Sequence, residues 1–240
     1  MGYKLKKIYV WTHQVRPVWG GGWRIPWADT LLYLPLNSTD TYTDQSWNSR
    51  TVTNVNNSVT FWTNQWVDCW VFNTTTSLLV TPFSVPFANL TVLVWAYCTS
   101  AQYDWKILDM RDNVDCTFVW WSNRNSYAMT GSKNSSWTRE DVVANWDYRN
   151  QWVLVGFQLD NKAGTMFIRA ANNVSATCPY TYYYDTNITP NYINVGNEYN
   201  NAYARHFSGY LSNLIMESKV WTSQEIDDYF DQTKANYGIS

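Results

Sequence analysis

Glycine is scarce in this chain, at 10 of 240 residues, against roughly 7% in ordinary soluble proteins. With it goes any Gly-rich phosphate loop or nucleophile elbow, so the usual nucleotide and acyl-transfer sites are absent. Charge is thin too: Asp, Glu, Lys and Arg together make up 15%, with a net charge of −2. A sparse, mildly acidic balance gives no electrostatic footprint for nucleic acid. Only two histidines occur, and the four cysteines, Cys69, Cys98, Cys116 and Cys178, stand far apart with no C-x-x-C pair. A zinc site is therefore not expected, and buried free thiols are. No apolar run approaches the roughly 18 residues of a membrane span. The basic N-terminus, Lys4 to Lys7, precedes an apolar run too short for a signal peptide. The reading is a soluble product made in the cytoplasm, with no membrane partner, no metal and no cofactor.

What is present is apolar and aromatic. Hydrophobic residues reach 45%, and there are 16 Trp and 18 Tyr. That is enough for one large β-sandwich core or two small ones. From Leu31 onward the chain reads as short β-runs between polar turns. Leu31 to Leu36 is one, and Thr51 to Phe61 holds a turn at Asn54 to Ser58. Leu90 to Tyr97 has the β-branched density of a central strand. Cys116 to Trp121 is another run. Gln151 to Leu159, a turn at Asp160 to Gly164 and a return over Thr165 to Arg169 predict a hairpin. A helix is expected near the C-terminus, where Thr222-Ser223-Gln224-Glu225 forms a capping box. Ile226, Tyr229 and Phe230 then share one helical face. Arg139 to Val143 reads as a further short helical turn. Strands at eight- to twelve-residue spacing with one terminal helix predict an all-β, antiparallel two-sheet sandwich. Gly20-Gly21-Gly22 breaks the pattern, so residues 1–28 are read as an N-terminal arm or hairpin and residues 29–240 as the sandwich.

The order of motifs resembles the concanavalin A-like, laminin-G-like jelly roll. Tyr192 to Asn197, then Phe207-Ser208-Gly209-Tyr210-Leu211, then Val220-Trp221-Thr222-Ser223-Gln224-Glu225-Ile226 follow that family's closing pattern. Trp152 at the head of its β-run, Leu90 to Trp95, and Leu31 to Leu36 with Asp44-Gln45-Ser46 match upstream. Ile8 to Pro17 in the arm resembles a short strand motif of tailed-phage structural proteins. The resemblance implies a virion-surface protein (a tail, fibre or capsid-decoration subunit) whose partners are carbohydrate or other virion subunits, with self-association through the arm.

Enzymes share this fold, so activity is decided at residues. Retaining glucanases of this type need a pair of carboxylates on one strand. The nearest string, Glu225-Ile226-Asp227-Asp228, lacks the second Glu and falls in the capped helix. Lyases of the fold need an Arg and a Gln-x-His strand, both missing beside Tyr180 to Tyr184. Asp40, Asp44 and Asp185 form no dense calcium loop. No catalytic residue is assigned. The aromatic and amide surplus points instead to binding. Tyr192, Asn194, Asn197, Tyr199, Tyr203 and His206 are the candidate ligand residues, and Trp19, Trp23 and Trp27 the candidate assembly residues of the arm. The alternatives are a polysaccharide hydrolase or lyase of the same fold, and a purely structural virion protein without ligand.

Scarce glycine and abundant tryptophan have a joint consequence. Trp11, Trp47, Trp66 and Trp70 stand where the resembled patterns hold glycine, as in Ser46-Trp47-Asn48. Turns that need φ > 0 accept glycine and disfavour an indole. Such positions are expected either to show positive φ, if the backbone is built for glycine, or to pack as ordinary tryptophans.

Overall fold

A computed structural model describes residues 29–38, 42–55, 59–73, 76–86, 88–99, 105–111, 116–123, 126–133, 138–144, 149–161, 163–171, 174–181, 187–197 and 206–240. The proposed arm, residues 1–28, lies outside them, and so do Trp11, Trp19, Trp23 and Trp27.

Two antiparallel sheets face each other. The first runs in the order β14 (Val174–Thr181), β13 (Ala163–Ala170), β12 (Trp152–Asp160), β7 (Asn89–Cys98), β17 (Gly209–Glu217), β4 (Val67–Phe72) and β3 (Thr60–Asn64). β1 (Thr30–Leu34) also pairs with β17, beyond the stretch that β4 covers. The second sheet runs β11 (Thr138–Ala144), β10 (Ser126–Lys133), β9 (Cys116–Asn123), β8 (Trp105–Arg111), β16 (Tyr192–Val195), β5 (Leu78–Val80) and β2 (Val52–Asn54). A small pair joins β6 (Val85–Pro86) to β15 (Asn187–Ile188). The one α-helix among the described residues, α1, spans Ser223–Thr233. This is the antiparallel jelly-roll sandwich with a short terminal helix that the motif order predicts.

β7 shows why the sequence folds this way. Its residues alternate between two cores. Leu90, Val92, Val94, Ala96 and Cys98 enter the cluster between the sheets. Leu93, Trp95 and Tyr97 enter a second cluster on the opposite face, with Trp152, Trp221, Ile226, Tyr229, Phe230 and Tyr237. A strand buried on both faces needs no polar alternation, hence the nearly unbroken apolar run. Burying one such side chain stabilises by roughly 1.5–3 kcal/mol. Trp152 is in the core as expected, but under the C-terminal segment rather than between the sheets.

The helix starts where the sequence places it. Thr222 Oγ1 accepts from the Glu225 amide, and the Glu225 carboxylate accepts from the Thr222 amide. Ile226, Tyr229 and Phe230 are buried against the first sheet. One expectation fails: Arg139 to Val143 is not helical but lies in β11, paired residue for residue with β10. Three charged residues followed by two valines fit neither period over so few residues, and the available strand edge decides. The β12–β13 hairpin is tighter than expected, with Asp160 already opposite Ala163. The Thr51 to Phe61 run does contain two strands, yet they part company. β2 joins the second sheet and β3 the first.

Cys69 is a buried free thiol, and Cys98 is buried as well. Burial pushes the Cys69 thiol up to about 12, which makes it inert.

The three tryptophans at glycine-like positions behave differently. Trp70 is buried, donates Nε1 to the Ser38 carbonyl at 2.8 Å and meets Tyr42 edge to face. It is an ordinary core tryptophan, so the glycine expectation is wrong there. Trp47 is half exposed in its turn and is not among the positive-φ residues. Trp66 has φ +73° and is 95% exposed.

Candidate functional site

The residues the sequence singles out for binding divide into three groups. Tyr192 and Asn194 lie on β16 and alternate with Ile193 and Val195, which enter the inter-sheet core. They therefore point to the outer face of the second sheet. Asn194 stands opposite Asp109 of β8 on one side and Leu79 of β5 on the other. Asp109 and Lys106 are buried here as well, and no sequence pattern singles them out. Charged groups removed from water in this way are costly unless paired. This face is a polar layer, and Tyr192 and Asn194 are closed off within it at 6% and 5% exposure.

Asn197 and His206 are brought together by an isolated antiparallel bridge. Both are buried. Desolvation lowers the His206 pKa, which favours the neutral ring, and its Nδ1 has no hydrogen-bond partner among the described residues. Gly196, at φ +86°, precedes the bridge. A Cβ there would stand 2.1 Å from the Phe72 ring, so only glycine permits this approach. Tyr199 and Tyr203 lie outside the described residues.

An open concavity lies elsewhere among the described residues. A pocket of about 460 Å³ lies between the β3–β4 hairpin tip and the C-terminal segment. Its floor is Ser212, Asn213 and Tyr237, and its rim includes Asn37, Gln65, Trp66, Asp68 and Asn236. A β-bulge in β17 between Ser212 and Ile215 puts Asn213 at φ +52°. A bulge of this kind re-aims a side chain that a regular strand would send into the sheet face. Asn213 Nδ2 donates to the Tyr237 hydroxyl at 2.7 Å, Tyr237 donates to Ser212 Oγ at 3.1 Å, and the Tyr33 hydroxyl donates to Asn213 Oδ1 at 3.2 Å. Tyr237 is in turn stacked on Trp95, with ring centroids 3.9 Å apart. The floor is a satisfied, rigid polar network, and burial raises the Tyr237 pKa well beyond titration. On the rim, Gln65 Nε2 donates to the Tyr97 hydroxyl at 3.2 Å and Asp68 accepts from Thr63 Oγ1 at 2.9 Å.

The acidic string of α1 is occupied structurally. Glu225 closes the capping box and pairs with Lys219, Asp227 pairs with Arg169 at 2.5 Å, and Asp228 accepts from Gln224. Asp44 accepts from the Tyr33, Ser46 and Arg50 amides, which uses its carboxylate to shape a turn. Among the described residues no group of three or more His, Cys, Asp or Glu side chains is placed to hold a metal ion. No described helix is long and apolar enough to cross a membrane.

No known family model matches the chain, and no curated protein does. Solved structures match in fold. Domain 4 of AbnA, a GH43 extracellular arabinanase from Geobacillus stearothermophilus, solved with arabinotriose, superposes with TM-score 0.65 at 16% identity over 83% of this chain and 97% of that one. The botulinum neurotoxin serotype G binding domain gives 0.66 at 14% identity, covering 88% and 54%. The binding domain of Paraclostridial Mosquitocidal Protein 1 gives 0.66 at 13%, covering 88% and 55%. The chain thus spans about half the length of the toxin binding domains and nearly all of the arabinanase domain. At these identities the likeness is one of fold.

Proposed function

We propose that this chain is a non-catalytic, lectin-like module that binds carbohydrate, and that it serves adhesion on the surface of a phage-type virion. The observation that carries the reading is the pocket beside the β3–β4 hairpin, with amides at Asn37, Gln65, Asn213 and Asn236 around a rigid tyrosine floor. Amide groups donate and accept at once, which matches the mixed hydroxyl edge of a sugar. The arabinotriose complex of the similarly folded arabinanase domain supports the ligand class. The virion setting rests on the arm's resemblance to tailed-phage proteins.

A glycan array with the purified protein tests the reading, followed by titration calorimetry of any hit against Asn236→Ala and Asn37→Ala. Each variant is expected to weaken binding about tenfold, the loss of one or two hydrogen bonds. An array with no hit, or a hit unaffected by both variants, refutes the pocket as the sugar site.

A further inference from the structure

We propose that residue 66 is glycine in the protein as its own host makes it, its codon being a UGA triplet that the host reads as glycine and that appears as tryptophan in this chain. The backbone at this point is built for glycine. Strands β3 and β4 pair through Asn64 and Val67, which leaves a two-residue turn of Gln65 and Trp66. Their φ values are +50° and +73°. Two consecutive positive φ angles in a two-residue hairpin define a type I′ turn, whose second central position is characteristically glycine. An L side chain there crowds its Cβ against the neighbouring carbonyl.

Residues do persist at positive φ where packing or local chemistry holds them. The other described examples show how. Asn150, Asn161 and Asn213 have side chains that tolerate the left-handed region, Leu36 is fully buried, and the exposed Ser49 and Gln65 carry small or flexible side chains without a ring. Trp66 has none of these excuses, since its indole is 95% exposed and wins no burial in return. Buried Trp95, Trp152 and Trp221, by contrast, sit at ordinary φ in the aromatic cluster. The chain thus carries tryptophans of two physical kinds, beside a glycine count of only 10. With glycine at 66, the pocket loses an indole wall on its hairpin side and its recognition falls to Gln65, Asp68 and the amides across from them. The inference stands on backbone geometry and is independent of whether the pocket binds sugar.

Peptide mass spectrometry of the protein isolated from its own host, with the gene sequenced alongside, tests it. The expected result is glycine at 66 encoded by UGA, and tryptophan at 95 encoded by UGG. Tryptophan in the native peptide, or UGG at codon 66, overturns the proposal. In the recombinant chain, Trp66→Gly is expected to raise the melting temperature by about 2–4 °C while Trp70→Gly lowers it. A Trp66→Gly protein that melts below its parent overturns the claim that this turn is built for glycine.

Discussion

The first sheet has two buried faces, and they are packed with different materials. Toward the second sheet the core is mostly aliphatic, with Leu32, Leu34, Leu90, Val92, Val94, Leu108, Val153 and Val155 alongside a few rings such as Phe72 and Phe157. On the outer face it is mostly aromatic: Trp95, Tyr97, Trp152, Phe167, Trp221, Tyr229, Phe230 and Tyr237. Between two sheets the spacing is set by pleated strands, and branched aliphatics interdigitate in it. Over the outer face, among the described residues, one helix and a short tail cover the sheet. Large flat rings do this with few residues, as Tyr237 on Trp95 at 3.9 Å and Phe230 on Trp95 at 5.6 Å illustrate. Much of the chain's aromatic load is therefore structural in origin.

This contrast breaks most sharply at Trp95. Trp95→Ala removes the ring on which Phe230 and Tyr237 stack, and the Nε1 bond to Thr233 with it. A loss of about 5 kcal/mol is expected in urea unfolding, with the helix signal in far-UV circular dichroism lost first. Leu108→Ala, in the aliphatic core, is expected to cost about 3 kcal/mol with the helix and sheet signals lost together. Equal losses with identical transitions would show that the two cores form one cooperative unit. Thr222→Ala, which removes the helix cap, is expected to cost about 1 kcal/mol. Trp152→Phe should cost less than about 1 kcal/mol, because the Trp152 Nε1 is buried without a partner among the described residues and its removal offsets lost packing.

The smallest effect is a pH slope. Glu217 is fully buried at the edge of the aromatic core, accepting from Thr30 Oγ1 at 3.0 Å and Trp221 Nε1 at 2.5 Å. Burial raises its pKa to about 7, against which the two hydrogen bonds pull weakly. The folded pKa lies above the unfolded one, so this contribution to stability is full below about pH 4.5 and is lost as pH rises through 7. Glu217→Gln should flatten the fall in melting temperature between pH 5 and pH 8. An unchanged slope would place the ionisation elsewhere.

Periodicity made the aliphatic core readable. Leu90 to Tyr97 and Gln151 to Leu159 announce central strands by composition alone, and Thr222 with Glu225 announces the helix by a local hydrogen-bond pattern. The aromatic core was hidden because it joins Trp95 to Tyr237 across the length of the chain, and no short motif encodes that meeting. β11 is not legible because its charged-then-apolar run fits neither the helical nor the strand period. The candidate pocket was illegible for a similar reason. Asn213 gains its direction from a bulge, and Gln65 and Asn236 become neighbours of one cavity only after β3, β4 and the tail dock. Of the residues chosen from sequence, Tyr192 and Asn194 share a face as their spacing requires, but only the folded sheet shows that face to be closed.

β17 has a place in the first sheet that reaches beyond equilibrium stability. It pairs with β7 along one edge and with both β4 and β1 along the other, and the Thr30–Glu217 bond spans 187 residues. Until the ribosome has released Gly209–Glu217, three earlier strands lack their common neighbour and expose unpaired edges. Such long-range closure makes folding slow and places its decisive step after β17 has left the ribosome. For a chain this rich in tryptophan and tyrosine, the nascent interval is when aggregation competes best, and yield during expression will depend on temperature and chaperone supply more than on the stability of the finished sandwich.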